Sequence, residues 1–267
     1  MNGKRNGKGK EYFDNNLRFE GEYLNGKRNG KGKEYDFISN KVMFEGEYKN
    51  GLRWNGKGYD NNNNNIVYEL KNGNGYVKEY NHEGKLKIEV EYLNGNKHGK
   101  GKEYYFDGNL RFEGEYLKGK RNGKWKDYYN NGNLQFEGEY FYGKRWNGKG
   151  YDNNNIVYEL KNGKGYMKEY NSYGKKEFEG EYLNGKRNGI GKEYNFDGNL
   201  KFEGEYLNGL KNGKGKEYDY NAHLIFESEY LYSDKLKGNY YINGKLEYEG
   251  EFLYDKNGME KDMVKMV

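Results

Sequence analysis

The residues that could perform chemistry are few in this chain, and none stands in a catalytic arrangement. Three histidines, His82, His98 and His223, lie far apart, and none has the H-x-x-x-H spacing of a metal-ligand pair. Carboxylates such as Glu20 and Glu22 recur at one phase along the whole chain. Acid–base catalysis by a carboxylate pair needs two unlike environments, so this recurrence favours structural pairing.

The serines and glycines give no stronger signal for catalysis. No serine lies in a nucleophile motif, and Ser228 takes the place of a repeated glycine. The pairs Gly30-x-Gly32 and Gly189-x-Gly191 follow predicted strands but open no helix, so the phosphate-loop mechanism does not apply to them. We therefore expect a protein that is not an enzyme, with no catalytic residues, no cofactor and no metal site.

The composition is hydrophilic, yet it does not predict a disordered chain. Of 267 residues, 33% are charged and only 33% are hydrophobic, and the mean hydropathy is −1.39, values that are typical of disorder. However, 32 tyrosines recur at a fixed phase. Because tyrosine combines a large apolar body with a polar tip, a tyrosine-rich core can exist within a hydrophilic average.

Composition also limits the cellular location and the partners. The chain has no cysteine, hence neither disulfides nor thiolate metal sites. Its start, MNGKRNGKGK, resembles no signal peptide, and no apolar run is long enough to span a membrane. The net charge of +5 lacks the strong basic bias of nucleic-acid-binding proteins. We expect a cytoplasmic protein, free or peripheral to a membrane or the cytoskeleton, that does not bind nucleic acid.

An internal repeat dominates the sequence, and its period predicts a repeat architecture. Each unit opens on an aromatic or apolar residue, and successive openings are 20 to 25 residues apart. The segment 53–76 returns almost unchanged at 145–166, which indicates duplication of a four-repeat block. The eleven opening residues are Phe19, Phe44, Tyr68, Ile88, Phe112, Phe136, Tyr158, Phe178, Phe202, Phe226 and Tyr248.

Each unit reads as a β-hairpin. In "FEGEYLNGLKNGKGKEYDY", from Phe202, the first arm alternates with period two, Asn-Gly predicts a tight turn, and the second arm alternates again. Asp-Gly or Asn-Gly then leads into the next unit. The expected register sets the following residues opposite each other: Gly204 and Gly215, Tyr206 and Gly213, Glu203 and Lys216, and Glu205 and Lys214.

These residues resemble MORN repeats. The phrase "FEGEYLNGKRNGKG" (19–32) is similar to that unit at nearly every position, and "FEGEYLKGKRNGKW" (112–125) departs only at Trp125. In the slot that often holds histidine in the family, this chain has His98 but otherwise mostly asparagine. Units opening at Tyr68 and Tyr158 are shortened and lack the second aromatic.

The resemblance implies an all-β fold, an elongated single-sheet stack of about eleven β-hairpin repeats over residues 1–254. Residues 255–267 break the pattern and form a separate tail. There Met259, Met263, Val264 and Val267 would share one face of a short capping helix.

Two candidate binding surfaces follow from stacking identical hairpins. Equivalent turns would align into a basic edge, opposite an edge that carries aspartates such as Asp36, Asp107 and Asp219. The basic edge would either contact anionic lipids or an acidic partner, or be a solvated row copied with the repeat. It comprises Lys27, Arg28, Arg53, Lys97, Lys120, Arg121, Lys144, Arg145, Lys186, Arg187 and Lys211. An aromatic groove would comprise Phe19, Tyr23, Phe44, Tyr48, Phe112, Tyr116, Phe136, Tyr140, Phe178, Tyr182, Phe202 and Tyr206.

The family resemblance leaves four functions open. The first is a non-enzymatic scaffold that binds protein partners along the aromatic groove or through its ends, with a homodimer as one form. The second is a peripheral module that binds anionic phospholipids through the basic edge. The third is a bacterial-type antitoxin-like protein, since some bacterial relatives of the repeat carry that label. The fourth, a carbohydrate-binding array, would suit a secreted protein.

Overall fold

The structure, a computed structural model, describes residues 3–61, 65–152, 155–171 and 174–252. It divides into two compact units, Met1–Gly143 and Lys144–Val267. The described part of unit 1 contains the strands β1 (Gly7–Phe13), β2 (Asn16–Leu24), β3 (Lys27–Tyr35), β4 (Val42–Lys49), β5 (Leu52–Tyr59), β6 (Ile66–Leu70), β7 (Gly75–Tyr80), β8 (Leu86–Leu93), β9 (Asn96–Tyr104), β10 (Leu110–Leu117), β11 (Lys120–Tyr128) and β12 (Leu134–Phe141).

Unit 2 is likewise built of strands in its described residues. They are β13 (Lys144–Asp152), β14 (Asn155–Lys161), β15 (Lys164–Tyr170), β16 (Lys176–Leu183), β17 (Lys186–Tyr194), β18 (Leu200–Leu207), β19 (Leu210–Tyr218), β20 (Leu224–Leu231), β21 (Asp234–Ile242) and β22 (Lys245–Glu251). Within each unit, consecutive strands pair antiparallel in chain order, with the exception of β6 and β7. The predicted all-β stack of hairpins is confirmed.

The predicted single sheet is interrupted once within unit 1. Strands β1 to β6 form a six-stranded sheet, and β7 begins another. Between β6 and β7 the described pairing is one isolated bridge, Lys71 with Asn74. This is the shortened unit that opens at Tyr68, whose arms end too soon to form a ladder. Its copy in unit 2 retains two pairs, Leu160 with Gly165 and Lys161 with Lys164.

Asparagine and glycine form the hairpin turns for the reason that the sequence indicates. Asn25 and Gly26 have φ of 53° and 84°, the left-handed conformations that a type I′ turn requires at both central residues. Lys118 takes the same conformation before Gly119, with φ of 50°. The turn geometry therefore holds where asparagine is replaced, and it holds even at Tyr232 and Ser233, with φ of 51° and 78°, where the glycine is replaced as well.

The expected register is correct in the centre of the hairpin and wrong near its turn. Gly204 lies opposite Gly215, as expected, but Tyr206 lies opposite Lys211 rather than Gly213. Gly213, at φ +98°, is opposite Tyr230 of the next strand. A glycine in the left-handed region adds an extra residue as a β-bulge, and that bulge shifts the pairing.

The same bulge changes the partner of Glu205. The expected register placed Glu205 opposite Lys214 across the hairpin, but the two residues are not paired there. The carboxylate of Glu205 instead accepts a hydrogen bond from the backbone N–H of Lys214, over 3.2 Å. Lys214 itself lies opposite Glu229, whereas Glu203 lies opposite Lys216 as predicted.

Phenylalanine and tyrosine rings on one side of the strands form the core. Phe202 is fully buried, and its ring meets the edges of Tyr206 and Tyr230 at centroid distances of 5.5 and 5.4 Å. A Cβ on Gly215 would stand 2.6 Å from the Phe202 ring. Glycine is therefore required at position 215, because the Phe202 ring occupies the space that a side chain would need.

The predicted tail at 255–267, with its capping helix and the boundary at residue 254, lies outside the described residues. In the part of the chain that the structure describes, no helix is long and apolar enough to cross a membrane.

Candidate binding surface

Strand alternation gives the sheets two chemically different faces. The aromatic face is the side of each strand that carries residues such as Phe202 and Tyr206. The charged face is the opposite side, which carries residues such as Glu203 and Lys216. Glycines alternate with these charges, and their missing side chains would point to the aromatic face.

The aromatic face is not an open groove. All twelve residues predicted to line such a groove are 7% exposed or less, so their rings fill the space and form the core. They are Phe19, Tyr23, Phe44, Tyr48, Phe112, Tyr116, Phe136, Tyr140, Phe178, Tyr182, Phe202 and Tyr206. This surface is unavailable to a partner, because closely packed rings leave no space between them.

A ladder of ion pairs covers the rings on this face. Arg28 lies with its guanidinium carbon 3.9 Å from the Phe19 ring centre. Its Nη2 is 2.6 Å from Glu11 of the preceding repeat, and its Nη1 pairs with Glu34 of its own arm. Arg53 continues the ladder from Glu34 to Glu79, with Nη1 2.7 Å from the latter. Each cation thus joins two repeats over an aromatic ring.

Unit 2 repeats the arrangement. Arg187 Nη2 is 2.6 Å from Glu169, and its Nη1 is 2.8 Å from Glu193. In the next repeat Lys211 replaces the arginine, and its Nζ is 3.1 Å from Glu217 and 3.9 Å from the Phe202 ring centre. The ladder position therefore accepts either arginine or lysine, because both side chains are long enough to extend over the ring to a glutamate.

The ladder keeps its carboxylates charged. Burial by itself would raise the pKa of Glu79, but the charge of Arg53 and its hydrogen bond overcome that effect and lower the pKa. The pKa of Glu217 is lowered in the same way, against burial, by Lys211 and Lys235. These groups therefore remain ionised and paired at neutral pH.

The residues of the predicted basic edge separate into eight that make contacts within the protein and three that are exposed. Five of the eight belong to the ladder on the aromatic face: Arg28, Arg53, Arg121, Arg187 and Lys211. Of the other three, Arg145 donates to the hydroxyl of Tyr158 over 3.0 Å, Lys97 lies 5.5 Å from the ring centre of Tyr116, and Lys144 donates to a backbone carbonyl. Three exposed lysines stay at the turns: Lys27, Lys120 and Lys186.

Several aspartates of the opposite edge hold turns together. Asp36 accepts hydrogen bonds from the backbone N–H groups of Ile38 and Ser39, at 3.1 and 2.8 Å. Asp219 does the same for Asn221 and His223, both at 2.8 Å. Such bonds are the usual role of aspartate in turns, so this edge is a row of turn acceptors.

An asparagine row at the hairpin turns was missed by sequence reasoning. The side-chain oxygen of Asn29 accepts the backbone N–H of Asn50 in the next turn, at 3.2 Å, and Gly51 donates to the carbonyl of Arg28 at 2.8 Å. In the same way, the side-chain oxygen of Asn55 accepts a hydrogen bond from the backbone N–H of Asn72 over 2.7 Å. The sequence does carry a signal for this row, because asparagine recurs in the slot of the repeat that often holds histidine in the family. Its side-chain oxygen accepts a hydrogen bond from the backbone of the following turn.

The charged face carries open grooves. In each groove, glycines such as Gly21 and Gly32 form the floor, and alternating glutamate and lysine side chains form two walls. The groove over β1 to β4 has a volume of about 760 Å³. Two further grooves follow the same pattern, one over β7 to β12 of about 790 Å³ and one over β17 to β22 of about 690 Å³.

The groove walls are largely neutralised by neighbouring repeats. Lys33 Nζ is 3.1 Å from Glu45. In unit 2, Lys216 is 3.4 Å from Glu227. Lysine and glutamate alternate across successive strands, so a long surface presents both signs at regular spacing.

A row of tyrosines borders the groove. Tyr35 donates its hydroxyl to Glu20 over 2.6 Å, and Tyr218 donates to Glu203 over the same distance. Burial, with the bond to Glu20 and that carboxylate's charge, raises the pKa of Tyr35 to about 12. The bond from Tyr35 lowers the pKa of Glu20 in turn. Both groups stay in their usual ionisation states, donor and acceptor, at neutral pH.

No group of three or more histidine, aspartate or glutamate side chains suited to a metal ion occurs among the residues that the structure describes.

Comparison with known proteins identifies the repeat. A family model described as MORN repeat matches residues 1–18, 19–36, 44–55, 91–110, 112–124, 178–200 and 202–221. A second, described as MORN repeat variant, matches residues 74–94 and 121–141. No curated protein matches the chain.

Proposed function

The chain belongs to the MORN repeat family, and from this premise we propose that it is a non-enzymatic scaffold that binds protein partners through the charged face. The observation that carries the proposal is the contrast between the two faces. The aromatic face is closed by its own rings and ion pairs, whereas the charged face holds open grooves of about 690 to 790 Å³.

The groove chemistry suits protein rather than a small molecule. Glycine floors expose backbone, and walls of both charge signs offer many separate weak contacts to a long polar chain. Complementary charges of this kind fix register and specificity more than they add affinity. A scaffold that assembles partners needs such selectivity along its length.

The test exchanges charges without breaking the fold. In the double variant Lys33→Glu with Glu45→Lys, the ion pair at 3.1 Å is re-formed in reverse. Partners are captured from extract of the native cell with the parent and the variant, and compared by mass spectrometry and cross-linking. We expect the loss of partners that cross-link to groove lysines of unit 1.

The matched exchange in unit 2 is Lys216→Glu with Glu227→Lys, which reverses a pair at 3.4 Å. A third variant replaces the exposed turn lysines Lys27, Lys120 and Lys186 by glutamine. If partner capture depends on the turn lysines and is unchanged by both exchanges, the charged face is not the binding surface.

A second candidate function is attachment to an anionic membrane through the hairpin turns. It is favoured by leucines beside the turn lysines: Leu24 is 53% exposed near Lys27, and Leu183 is 42% exposed near Lys186. An exposed apolar side chain with a neighbouring lysine suits a lipid interface, where each lysine contributes about 1 kcal/mol. Sedimentation with anionic and neutral vesicles tests it, with the triple glutamine variant as control. Equal binding by both proteins, or none by either, would refute attachment through these lysines.

The antitoxin-like function, the homodimer and the cytoplasmic location stay predictions. Genomic neighbourhood, sedimentation of the purified protein and fractionation of the native cell would test them.

A further inference from the structure

One position of the charged face departs from the alternation of lysine and glutamate. Along neighbouring strands β15 to β18, one wall of side chains on the charged face consists of Tyr166, Glu181, Ile190 and Glu205 in that order, and Ile190 also lines the groove over β17 to β22. Tyr166 lies opposite Glu181, and Ile190 lies opposite Glu205. We call these four residues the Ile190 site. None of these four residues is a cation, although lysine holds the Ile190 position in other repeats. The next cation of the wall is Lys214, on the far side of Glu205.

Ile190 is open to solvent, and the adjacent carboxylates lack a lysine partner. Its side chain is 55% exposed, and that of Tyr166 is 48% exposed. Among the described residues, no salt bridge joins Glu181 or Glu205 to a lysine. Glu205 is nevertheless held in place, because it accepts the backbone N–H of Lys214 over 3.2 Å.

The duplicated block provides an internal comparison. Ninety residues earlier, the same wall reads Tyr76, Glu91, Lys100 and Glu115, and Lys100 lies opposite Glu115. The two copies thus differ at a single position of this wall, Lys100 against Ile190. That substitution removes one positive charge and exposes one apolar side chain in unit 2.

Resting on the proposed scaffold function, we propose that the Ile190 site binds a polyproline-II segment of a partner protein that carries lysine or arginine at every third residue, with apolar residues between. Charge complementarity selects the basic residues, because two carboxylates that form no ion pair with a lysine stand in the same wall as Ile190. The exposed Ile190 and Tyr166 select the apolar residues.

The spacing of the carboxylates selects the conformation. Glu181 and Glu205 lie on β16 and β18, two strands apart, which at about 4.8 Å per strand is roughly 9.6 Å. A polyproline-II chain advances about 3.1 Å per residue and places every third residue on one face, about 9.3 Å apart. Successive basic residues therefore meet successive carboxylates.

The experiment measures binding of a fluorescent peptide of repeated Lys-Pro-Leu units by anisotropy, with repeated Glu-Pro-Leu as the control peptide. The Ile190→Lys variant restores the residue present in the other copy, so we expect its fold and melting temperature to be retained. We expect its affinity for the Lys-Pro-Leu peptide to fall about tenfold or more, because a repelling charge replaces an apolar contact.

Two further variants sharpen the result. Ile156→Lys makes the same change at another isoleucine of unit 2 that is also 55% exposed but lies outside this wall, and it should bind as the parent does. Lys100→Ile copies the site into unit 1 and should add a second site of similar affinity. A gain of binding cannot be explained by loss of folding.

Several outcomes would overturn the inference: no binding of the Lys-Pro-Leu peptide, equal binding of the Glu-Pro-Leu peptide, or unchanged affinity in Ile190→Lys. Self-association of the chain that is lost in Ile190→Lys, without peptide binding, would identify a second copy as the occupant instead. These outcomes leave the scaffold function standing if partner capture still depends on the Lys33/Glu45 exchange, so the two failures are distinguishable.

Discussion

At the scale of single residues, the repeated Lys-Arg pair serves two purposes. In Lys27-Arg28, the lysine is exposed at the turn, whereas the arginine lies over Phe19 and joins Glu11 to Glu34. Alternation along a strand sends neighbouring side chains to opposite sides, so two adjacent cations have different surroundings. Only the lysine is available to a partner.

Replacing the two members of this pair should therefore have unequal effects on stability. We expect Arg28→Gln to lower the free energy of unfolding by roughly 1.5–3 kcal/mol, the usual contribution of hydrogen bonds to charged groups. The exposed Lys27→Gln should change it by less than about 0.5 kcal/mol. Urea unfolding followed by circular dichroism compares the two variants. If Arg28→Gln also changed the free energy of unfolding by less than about 0.5 kcal/mol, the ladder would contribute no stability.

The carboxylates of the ladder predict sensitivity to acid. The pKa of Glu79 lies below its usual value of 4.5 in the folded chain, against burial, because of Arg53. A lowered pKa means that the stabilisation is fully present above about pH 4.5 and is lost as the pH falls through the folded pKa. The melting temperature should drop over that acid range. In Glu79→Gln it should be lower at neutral pH and fall less steeply in acid.

At the scale of the hairpin, paired glycines decide how closely two arms and a ring can pack. A Cβ on Gly204 would stand 2.6 Å from the Cα of Gly215 and 2.8 Å from the Phe202 ring. One repeat solves the problem differently: Trp125 takes the place of the second glycine, is almost fully buried, and donates its Nε1–H to the carbonyl of Glu115 over 2.8 Å.

Adding a methyl group at Gly204 tests this packing. We expect Gly204→Ala to destabilise the chain by about 1–3 kcal/mol, the usual cost of overpacking, because its neighbours are backbone atoms that cannot move aside. Gly9→Ala, in the edge strand β1, meets only the Tyr23 ring at 3.1 Å and should cost less. Thermal melting of both variants is the measurement. A Gly204→Ala protein that melts like the parent would contradict the face assignment.

At the scale of the whole molecule, each unit is a series of strands that contact their sequence neighbours. Stability in such arrays is approximately a sum over repeats and the interfaces between them. The weakest described link in unit 1 is the junction of β6 and β7, where a single bridge joins Lys71 to Asn74. The core continues past it, since Leu70 and Val77 belong to one buried cluster.

Hydrogen exchange should reveal this link. The amides of Lys71 and Asn74 take part in one isolated bridge, with N···O distances of 3.0 and 2.9 Å, and we expect them to exchange faster than amides in the β18–β19 ladder. Mass spectrometry of peptides after timed exchange measures both regions in one sample. Slower exchange at 71–74 than in β18–β19 would show that side-chain packing, not ladder length, sets local stability.

The sequence alone determined the fold class, the repeat period and the pairing in the centre of each hairpin. Period-two alternation and Asn-Gly turns are local signals, and the Gly204–Gly215 register follows from them. The tertiary structure decided the rest. A bulge at Gly213 moved Tyr206 opposite Lys211, and stacking of repeats buried the aromatic row and Arg28. Both depend on the neighbouring repeat: Gly213 pairs with Tyr230 of the next strand, and the Tyr48 ring of the next repeat packs on Phe19. A single hairpin cannot reveal such contacts.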